Sequence, residues 1–185
     1  MPNKIFWFDV ETSGLSEYKN CILSLACIIE IDGKIVDKSD YRLRPHKAAE
    51  IDPKALAVNG FTPECIATFP DQFDTFRDLM DTLESHVDKY DKLDKFVLAG
   101  YNVPFDERFL RQFFLLNGQR YFGSYFTYPK INVPDLLVPL WLSGELKTPD
   151  FKLSTICSHF GIELNAHDAM SDIMATRELY YRLLA

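Results

Sequence analysis

The stretch that decides the fold is IFWFDVET, at residues 5–12 of a chain of 185 residues. Ile5 to Val10 is a compact apolar run before the turn residues Ser13-Gly14, which predicts a strand buried on both faces. Because side chains alternate along a strand, Asp9 and Glu11 share one face. Two carboxylates this close repel each other unless a cation lies between them. The alternative is that the strand has ended and both acids are solvated, and this stretch alone favours neither interpretation.

The remaining elements follow from hydrophobic spacing and turn signals. Ile22–Ile31 and Lys34–Leu43 are predicted strands, and Asp32-Gly33 between them favours a hairpin. Phe96–Tyr101 is a fourth strand, and Gly118–Asn132 is interpreted as an aromatic-rich loop. The predicted helices are Pro53–Val58, Pro70–Lys89, Pro104–Leu116, Pro134–Leu142, Leu153–Phe160 and Ala169–Leu184. This order predicts a mixed α/β architecture with helices packed on a sheet.

Size and composition fit a single domain over residues 1–185. The chain has 20 basic and 27 acidic residues and a net charge of −7, which argues against a basic surface that grips a long duplex. Its four cysteines are widely spaced and form no Cys-x-x-Cys pair, which favours buried thiols in a reducing compartment. No signal peptide and no apolar run of ~18 residues is recognisable, so we expect a cytoplasmic protein that uses no membrane.

A third carboxylate, Asp106, follows the predicted strand at Phe96–Tyr101. It lies three, four and seven residues before Phe109, Leu110 and Phe113, the apolar stripe of the next helix. An inward-facing carboxylate needs a partner, because an unpaired buried charge is costly. The competing interpretation is an acid that stabilises the helix N-terminus through the macrodipole.

The fourth carboxylate, Asp172, falls within the apolar stripe of the last predicted helix, one turn from Ala169 and Thr176. Asp168 is well placed to cap that helix and is assigned no chemistry. His167 stands just before it, where a lone histidine is more often structural than catalytic. Four inward acids with one histidine, however, provide oxygen ligands for two divalent cations and a group that accepts a proton. Two such cations clamp the attacking and leaving oxygens of a phosphoryl displacement.

Three motifs, in order, resemble the DEDDh (DnaQ-like) exonuclease family, which includes polymerase proofreading (epsilon) subunits, ribonuclease T and oligoribonuclease. They are FDVET at residues 8–12, NVPFD at residues 102–106 and HDAMSD at residues 167–172. Any one of them is weak, because short patterns recur by chance, but three with the right order and spacing are specific. The histidine five residues before the last aspartate marks this branch. A sister branch has a tyrosine four residues before it, where this chain has Asp168.

The resemblance implies a ribonuclease H-like fold, in which an antiparallel three-strand meander plus parallel strands form a mixed sheet flanked by helices. It also implies a 3′→5′ exonuclease that releases nucleoside 5′-monophosphates. In that family pattern Asp9, Glu11, Asp106 and Asp172 bind two divalent cations, Mg²⁺ or Mn²⁺. His167 is then the general base that activates water.

The resemblance further implies five substrate contacts, at Thr12, Leu15, Asn59, Asn102 and Phe105. Ordinary core packing is the alternative for Leu15 and Phe105, and a helix-entry role is the alternative for Asn102. Many relatives carry a histidine where this chain has Asn59, directly before Gly60. This departure leaves the preference between deoxyribose and ribose open.

The expected partner is a single-stranded or frayed DNA or RNA 3′ end, and a polymerase or another replication or repair protein is a further candidate. Aromatic residues could stack on bases, and nearby cations could contact phosphates. The candidates for stacking are Tyr101, Phe105, Phe122, Tyr125, Phe126 and Tyr128. The candidates for phosphate contact are Arg108, Arg111, Arg120 and Lys130. Core packing and plain solvation are the alternatives for these residues. The acidic balance also leaves open a binding module with little turnover, or a phosphodiesterase for a small substrate. Degradation of a DNA or RNA oligomer from one end would distinguish an exonuclease from these two alternatives. The sequence does not decide between a monomer and a homodimer.

Overall fold

Within residues 3–165 and 168–185, which the computed structural model describes, the chain forms a five-stranded mixed sheet. The strands are β1 (Lys4–Thr12), β2 (Ile22–Ile31), β3 (Lys34–Arg42), β4 (Phe96–Gly100) and β5 (Phe126–Asn132). Their spatial order is β3-β2-β1-β4-β5. The meander of β1, β2 and β3 is antiparallel, whereas β4 runs parallel to both β1 and β5. The predicted opening meander is therefore confirmed.

Helices cover both faces of this sheet. They are α1 (Pro53–Asn59), α2 (Pro63–Ala67), α3 (Gln72–His86), α4 (Val103–Leu116), α5 (Val133–Ser143), α6 (Leu153–Phe160) and α7 (Ala169–Leu184), with a short 3₁₀ helix at Phe122–Ser124. Helices α3 and α4 pack on one face, and α5, α6 and α7 pack on the other. In the described part of the chain, no helix combines the length and the apolar character needed to cross a membrane.

The central strand β1 is buried on both faces, as its sequence predicts. Phe6 and Phe8 point into the core beneath α3 and α4, and Trp7 points into the core beneath α5, α6 and α7. All three side chains are fully buried. Each such side chain contributes ~1.5–3 kcal/mol relative to an exposed one, which makes β1 the element on which both layers depend.

The β2–β3 hairpin turns at the predicted place. Asp32 and Gly33 both have positive φ angles, of 50° and 78°, which is the backbone of the tight turn that suits the twist of two strands. The pairing then shifts by one residue, because Ile29 pairs with Asp37 while Glu30 pairs with Ile35. This β-bulge changes which residues of β3 share a cross-strand row with the end of β1, across β2.

Two sequence-based expectations need correction. Gly118–Asn132 is not simply a loop, because it contains the 3₁₀ helix and strand β5. β5 pairs with β4 at the edge of the sheet, where a strand tolerates a proline such as Pro129. Its sequence also lacks the alternating apolar pattern that predicts a strand. Helix α2 was not predicted at all. Its short sequence is capped by Thr62, whose side chain accepts a hydrogen bond from the backbone N–H of Cys65 at 3.2 Å.

Candidate functional site

Asp9 and Glu11 lie at the carboxyl end of β1, on the sheet face that carries Trp7 and packs against α7. Both side chains are partly buried, while Val10 between them points into the opposite core. The alternation of the strand therefore places the two carboxylates side by side, as the sequence predicts. The interpretation that the strand has ended and both are freely solvated is wrong, because β1 continues to Thr12 and both side chains are partly buried.

Asp106 reaches the same end of β1 from the first turn of α4. The chain can pass closely here because Gly100 ends β4, and a Cβ at that position would lie 2.8 Å from the backbone oxygen of Phe8. Asp106 Oδ1 accepts a long hydrogen bond, 3.4 Å, from the backbone N–H of Val10, and the side chain is only 4% exposed. Asp106 thus faces inward, although it also occupies the helix position that the macrodipole favours.

Asp172 enters the site from the first turn of α7. Asp168 caps this helix, as predicted, because its Oδ1 accepts from the backbone N–H of Ser171 at 2.8 Å. One carboxylate oxygen each from Asp9, Glu11 and Asp172 can be chosen so that all lie within 4.8 Å of one another. Two strand residues and one helix residue therefore converge on a single point.

This convergence strongly perturbs the protonation of the acids. Burial raises the pKa of Asp9 well above its ordinary value, and the charges of Glu11 and Asp172 raise it further. Burial, followed by the charge of Asp172, raises the pKa of Glu11 to about 7. Burial and the charge of Asp9 also raise the pKa of Asp106. Such carboxylates gain most from a cation, which stabilises their ionised forms.

The donor chemistry of the site fits a hard divalent cation. Carboxylate oxygens are the ligands that Mg²⁺ and Mn²⁺ prefer, and the cluster offers them from two different elements. Asp106 stands beside these acids, because its Oδ1 contacts the backbone N–H of Val10, the residue between Asp9 and Glu11. His167, the predicted general base, lies outside the described residues.

Thr12, Leu15 and Asn59 lie around the end of β1 in different environments. Thr12 is buried, and its hydroxyl donates to the backbone oxygen of Gly14 at 2.7 Å. Asn59 is also buried, and its Nδ2 donates to the backbone oxygen of Thr12 at 3.1 Å. Leu15 is 79% exposed, so it is not the core residue that its sequence alternatively allowed. Substrate contact by these three residues stays a prediction.

Asn102 and Phe105 lie at the start of α4. Asn102 precedes the helix in a left-handed backbone conformation, with φ of 68°, and its side chain makes no capping hydrogen bond. It therefore has the helix-entry geometry that its sequence allowed. Phe105 is partly buried, and its ring centroid lies 5.0 Å from that of Phe109. Core packing explains part of the Phe105 side chain but leaves the rest accessible.

An open cleft of about 940 Å³ adjoins the acid cluster. Its lining combines apolar side chains with a few polar ones, and it includes Asp172, Asn102, Tyr101 and Phe151. The hydroxyl of Tyr101 donates to the backbone oxygen of Phe151 at 2.6 Å, which fixes one wall. A cleft of this character suits a ligand with flat apolar parts and polar groups.

Arg42 is a residue of this site that the sequence did not reveal. It lies on β3 in one cross-strand row with Ser24 and Glu11, and its charge opposes the rise of the Glu11 pKa. Its guanidinium donates to Ser24 Oγ, pairs with Asp40 at 3.1 Å and lies 5.5 Å from the ring centroid of Phe61. Without the bulge in the β2–β3 hairpin, Tyr41 would lie opposite Ser24 instead.

Comparisons with known proteins match this architecture along nearly the whole chain. Curated relatives include the DNA polymerase III PolC-type proteins of Oceanobacillus iheyensis, 29% identical over 178 residues, and of Bacillus subtilis, 29% identical over 183 residues. Each alignment covers 96% of this chain and 11% of the relative. The chain thus spans about a tenth of the length of these relatives.

A solved structure, the zinc-bound form of an E. coli ExoI–ssDNA complex, has the same fold with a TM-score of 0.77 and 21% identity. The match covers 100% of this chain and 40% of that one, and it confirms the ribonuclease H-like fold. The family model RNase_T, described as Exonuclease, matches residues 6–180. Because that match covers most of the chain, including the strand and the two helices that carry the four acids, the chain belongs to the DEDDh (DnaQ-like) exonuclease family.

Proposed function

We propose that this protein is a metal-dependent 3′→5′ exonuclease that hydrolyses phosphodiester bonds at single-stranded or frayed ends and releases nucleoside 5′-monophosphates. Residues 1–185 act as one exonuclease domain in this proposal. The observation that carries it is the convergence of Asp9, Glu11 and Asp172 to within 4.8 Å, with Asp106 beside them and an open cleft adjoining. A purely structural core has no reason to gather three carboxylates at one point with a fourth beside them.

The four acids have a common role in this proposal. Asp9, Glu11, Asp106 and Asp172 would hold two divalent cations, Mg²⁺ or Mn²⁺, through carboxylate oxygens. Bound cations of this kind supply charge stabilisation to the attacking and leaving oxygens of a phosphoryl displacement. His167 would accept the proton from the attacking water, which is the role that a histidine with near-neutral pKa can take.

The residues around the acids would position the 3′ end of the nucleic-acid strand. Asn59 donates to the backbone of Thr12 and so holds the chain directly after the two acids of β1. Leu15 and Phe105 offer apolar surface to the terminal bases, and Asn102 lines the adjoining cleft. In this proposal Asn59 orders the backbone next to the acids, whereas Leu15, Phe105 and Asn102 receive the nucleotide.

The names of the relatives support a DNA end as the first substrate to test. The ExoI structure is a complex with single-stranded DNA, and the PolC-type relatives are DNA polymerases. A single strand also suits the net charge of −7, which offers little attraction to a long duplex. We therefore propose a DNA polymerase or another replication or repair protein as the partner in the cell.

The test of this function compares 5′-labelled single-stranded DNA and RNA oligomers of one sequence, incubated with Mg²⁺, Mn²⁺ or EDTA. We expect a ladder that shortens from the 3′ end only when a metal is present. A preference for one sugar would identify the natural substrate class. If neither oligomer is digested with either metal, the exonuclease proposal is wrong, and a binding module or a small phosphodiester substrate takes its place.

His167→Ala is expected to slow the same reaction by ~10²–10⁴-fold, because general-base catalysis contributes a factor of that size. The four acids are unchanged in this variant, so metal binding measured by calorimetry should change little. A rate within threefold of the unmodified protein would show that His167 is structural. His159→Ala, which changes a histidine in α6, is the matched control and should keep the full rate.

Metal binding is expected to release protons and to weaken at low pH. Glu11 has a pKa of about 7 without metal, and the pKa of Asp9 is also raised, so cations must displace protons from these groups. Displacement from one group of pKa 7 alone makes the dissociation constant for Mn²⁺ about tenfold larger at pH 6 than at pH 8. Calorimetry in two buffers of different ionisation enthalpy would count the protons released. Equal affinity at both pH values would contradict the assignment of these acids as ligands.

A further inference from the structure

A rigid loop beside the acid cluster holds apolar side chains in solvent. Leu15 and Tyr18, in the loop between β1 and β2, are 79% and 80% exposed. The loop itself is tightly packed, because Asn20 Nδ2 donates to the backbone oxygen of Glu50 at 2.8 Å. A Cβ at Gly14 would lie 2.5 Å from the Asn20 amide group, so this packing needs glycine there. The exposed side chains are therefore presented by an ordered backbone and are not carried on a loose tip.

Helix α4 supplies the adjoining part of this surface. Glu17 Oε2 lies 3.8 Å from Arg108 Nη1, which joins the loop to α4. The Arg108 guanidinium carbon in turn lies 5.7 Å from the ring centroid of Phe105, one helical turn away. The Arg108 side chain is 53% exposed and that of Glu17 only 13% exposed. The cation thus faces solvent, and its carboxylate partner lies beneath it.

Two other cations near α4 pair with a buried acid, and several nearby aromatic rings belong to the core. Arg111 and Lys130 both contact the buried carboxylate of Glu107, and Arg111 also lies 4.1 Å from the ring centroid of Phe122. Three of the aromatic residues considered for stacking, Phe122, Tyr125 and Phe126, are core residues. Arg108 differs from Arg111 in its partner, because its longer contact of 3.8 Å is to Glu17 of the loop that follows β1, the loop that also presents the exposed Tyr18.

We propose that Tyr18 and Arg108 extend the surface of Leu15 and Phe105 into a stacking surface for a single strand, on which Tyr18 and Arg108 contact nucleotides upstream of the two that flank the scissile bond. This inference rests on the exonuclease function proposed above and adds Tyr18 and Arg108 to the substrate contacts. Unpaired bases have free faces that stack on aromatic and aliphatic side chains, and an exposed guanidinium meets phosphate. A duplex offers no free base faces along its length, so the surface selects single strands.

Isolated aromatic and aliphatic side chains interspersed with a cation fit a strand better than a protein partner. A protein partner usually needs a continuous patch with a buried centre, and these side chains stand apart around an ion pair. Separate apolar side chains with one guanidinium among them can receive unpaired bases and a phosphate. The strand is therefore the occupant to test.

The experiment compares oligothymidylates of two and twelve nucleotides as substrates in Mn²⁺. For Tyr18→Ala we expect the length preference, the KM for the dimer divided by the KM for the dodecamer, to fall at least about fivefold. That factor corresponds to the lower bound of ~1 kcal/mol for stacking of one base on an aromatic side chain. Tyr18→Phe keeps the ring and should keep the preference. Tyr90→Ala is the matched control, because Tyr90 is 85% exposed and lies next to Lys89, in the loop before β4.

Fluorescence anisotropy with a labelled dodecamer in Ca²⁺ measures the affinity of the surface for a single strand without turnover. Tyr18→Ala should raise the dissociation constant at least about fivefold, and Arg108→Gln should reduce the salt slope of log Kd by ~0.7. Unchanged binding and unchanged length preference in Tyr18→Ala would overturn the stacking surface while leaving the exonuclease function intact. If the unmodified protein digests neither oligomer, the function itself fails. The anisotropy values then still decide whether this surface binds a strand.

Discussion

Asp9→Asn is expected to abolish metal-dependent hydrolysis and, at the same time, to raise the melting temperature of the metal-free protein. Asp9 lies at the centre of the acid cluster, where Glu11 and Asp172 both affect its pKa. Loss of this carboxylate removes a metal ligand and should cost several kcal/mol of transition-state stabilisation, a rate loss of ~10³-fold or more. The substitution keeps the size of the side chain, so the fold should persist.

The stabilising effect follows from the direction of the pKa shift. Burial raises the pKa of Asp9 in the folded state above its value in the unfolded chain. The folded state therefore binds more protons, and stability falls as the pH rises from about 4 through the folded pKa. At neutral and alkaline pH the carboxylate thus costs stability, and asparagine removes that cost. The gain in melting temperature should be larger at pH 8 than at pH 5.

Thermal unfolding in EDTA and in Mn²⁺ at both pH values tests the prediction together with the hydrolysis assay. Mn²⁺ should raise the melting temperature of the unmodified protein, because a ligand that binds the folded state stabilises it, and should do so much less in Asp9→Asn. Asp168→Asn is the matched control, since asparagine caps a helix as well as aspartate does. Undiminished turnover in Asp9→Asn would exclude Asp9 as a ligand. A lower melting temperature of Asp9→Asn in EDTA would contradict the inference that the buried Asp9 carboxylate costs stability.

Local periodicity placed the acids on faces that could turn inward, but it left a solvated alternative for Asp9 and Glu11 and a helix N-terminus role for Asp106. Alternation along β1 put Asp9 and Glu11 on one face, and the apolar stripes of α4 and α7 put Asp106 and Asp172 among buried positions. Each of these inferences uses the repeat of one element alone. That the four acids meet at the end of β1 depends on how α4 and α7 pack on the sheet, and for this the order of the three motifs was the only guide.

Features set by contacts between elements could not be read from the sequence. The bulge that moves Arg42 into the row of Glu11 depends on a one-residue shift within a hairpin whose turn was correctly predicted. Strand β5 carries Pro129 at the sheet edge, where neither alternation nor a continuous apolar run is required. The exposure of Leu15 likewise reflects the packing of its loop, because an isolated leucine has the same sequence signal in a core or on a surface.

Glu30→Ala is expected to lower the free energy of unfolding by ~3–5 kcal/mol, because it removes one partner of a buried ion pair. Glu30 on β2 is fully buried and lies opposite Ile5 of β1, on the face that packs against α7. Its Oε2 accepts from Trp7 Nε1 at 3.1 Å and from Arg177 Nε at 2.6 Å. The hydroxyl of Tyr181 donates to its other oxygen, and burial together with this carboxylate raises the pKa of Tyr181 to about 12.

These contacts fasten α7 at the end opposite to the site. Asp9 lies four positions after Ile5 on β1, a distance of ~13 Å, and Tyr181 lies nine positions after Asp172 on α7, a distance of ~13.5 Å. The matching lengths mean that the Glu30 contacts hold the register in which Asp172 meets Asp9. Loss of Glu30 should therefore weaken Mn²⁺ binding as well as stability, although Glu30 does not belong to the acid cluster.

Denaturant unfolding of Glu30→Ala, with Mn²⁺ titration of the folded protein, separates the two effects. Glu178→Ala is the matched control, because its carboxylate pairs with Arg182 on the surface of the same helix and should contribute ~0.3–0.5 kcal/mol. Glu30→Leu combined with Arg177→Met should be less destabilising than the sum of the two single changes, since neither charge is then left buried alone. Strict additivity would show that the two side chains are independent. Unchanged Mn²⁺ affinity in Glu30→Ala would show that the packing of α7 alone holds Asp172 in place.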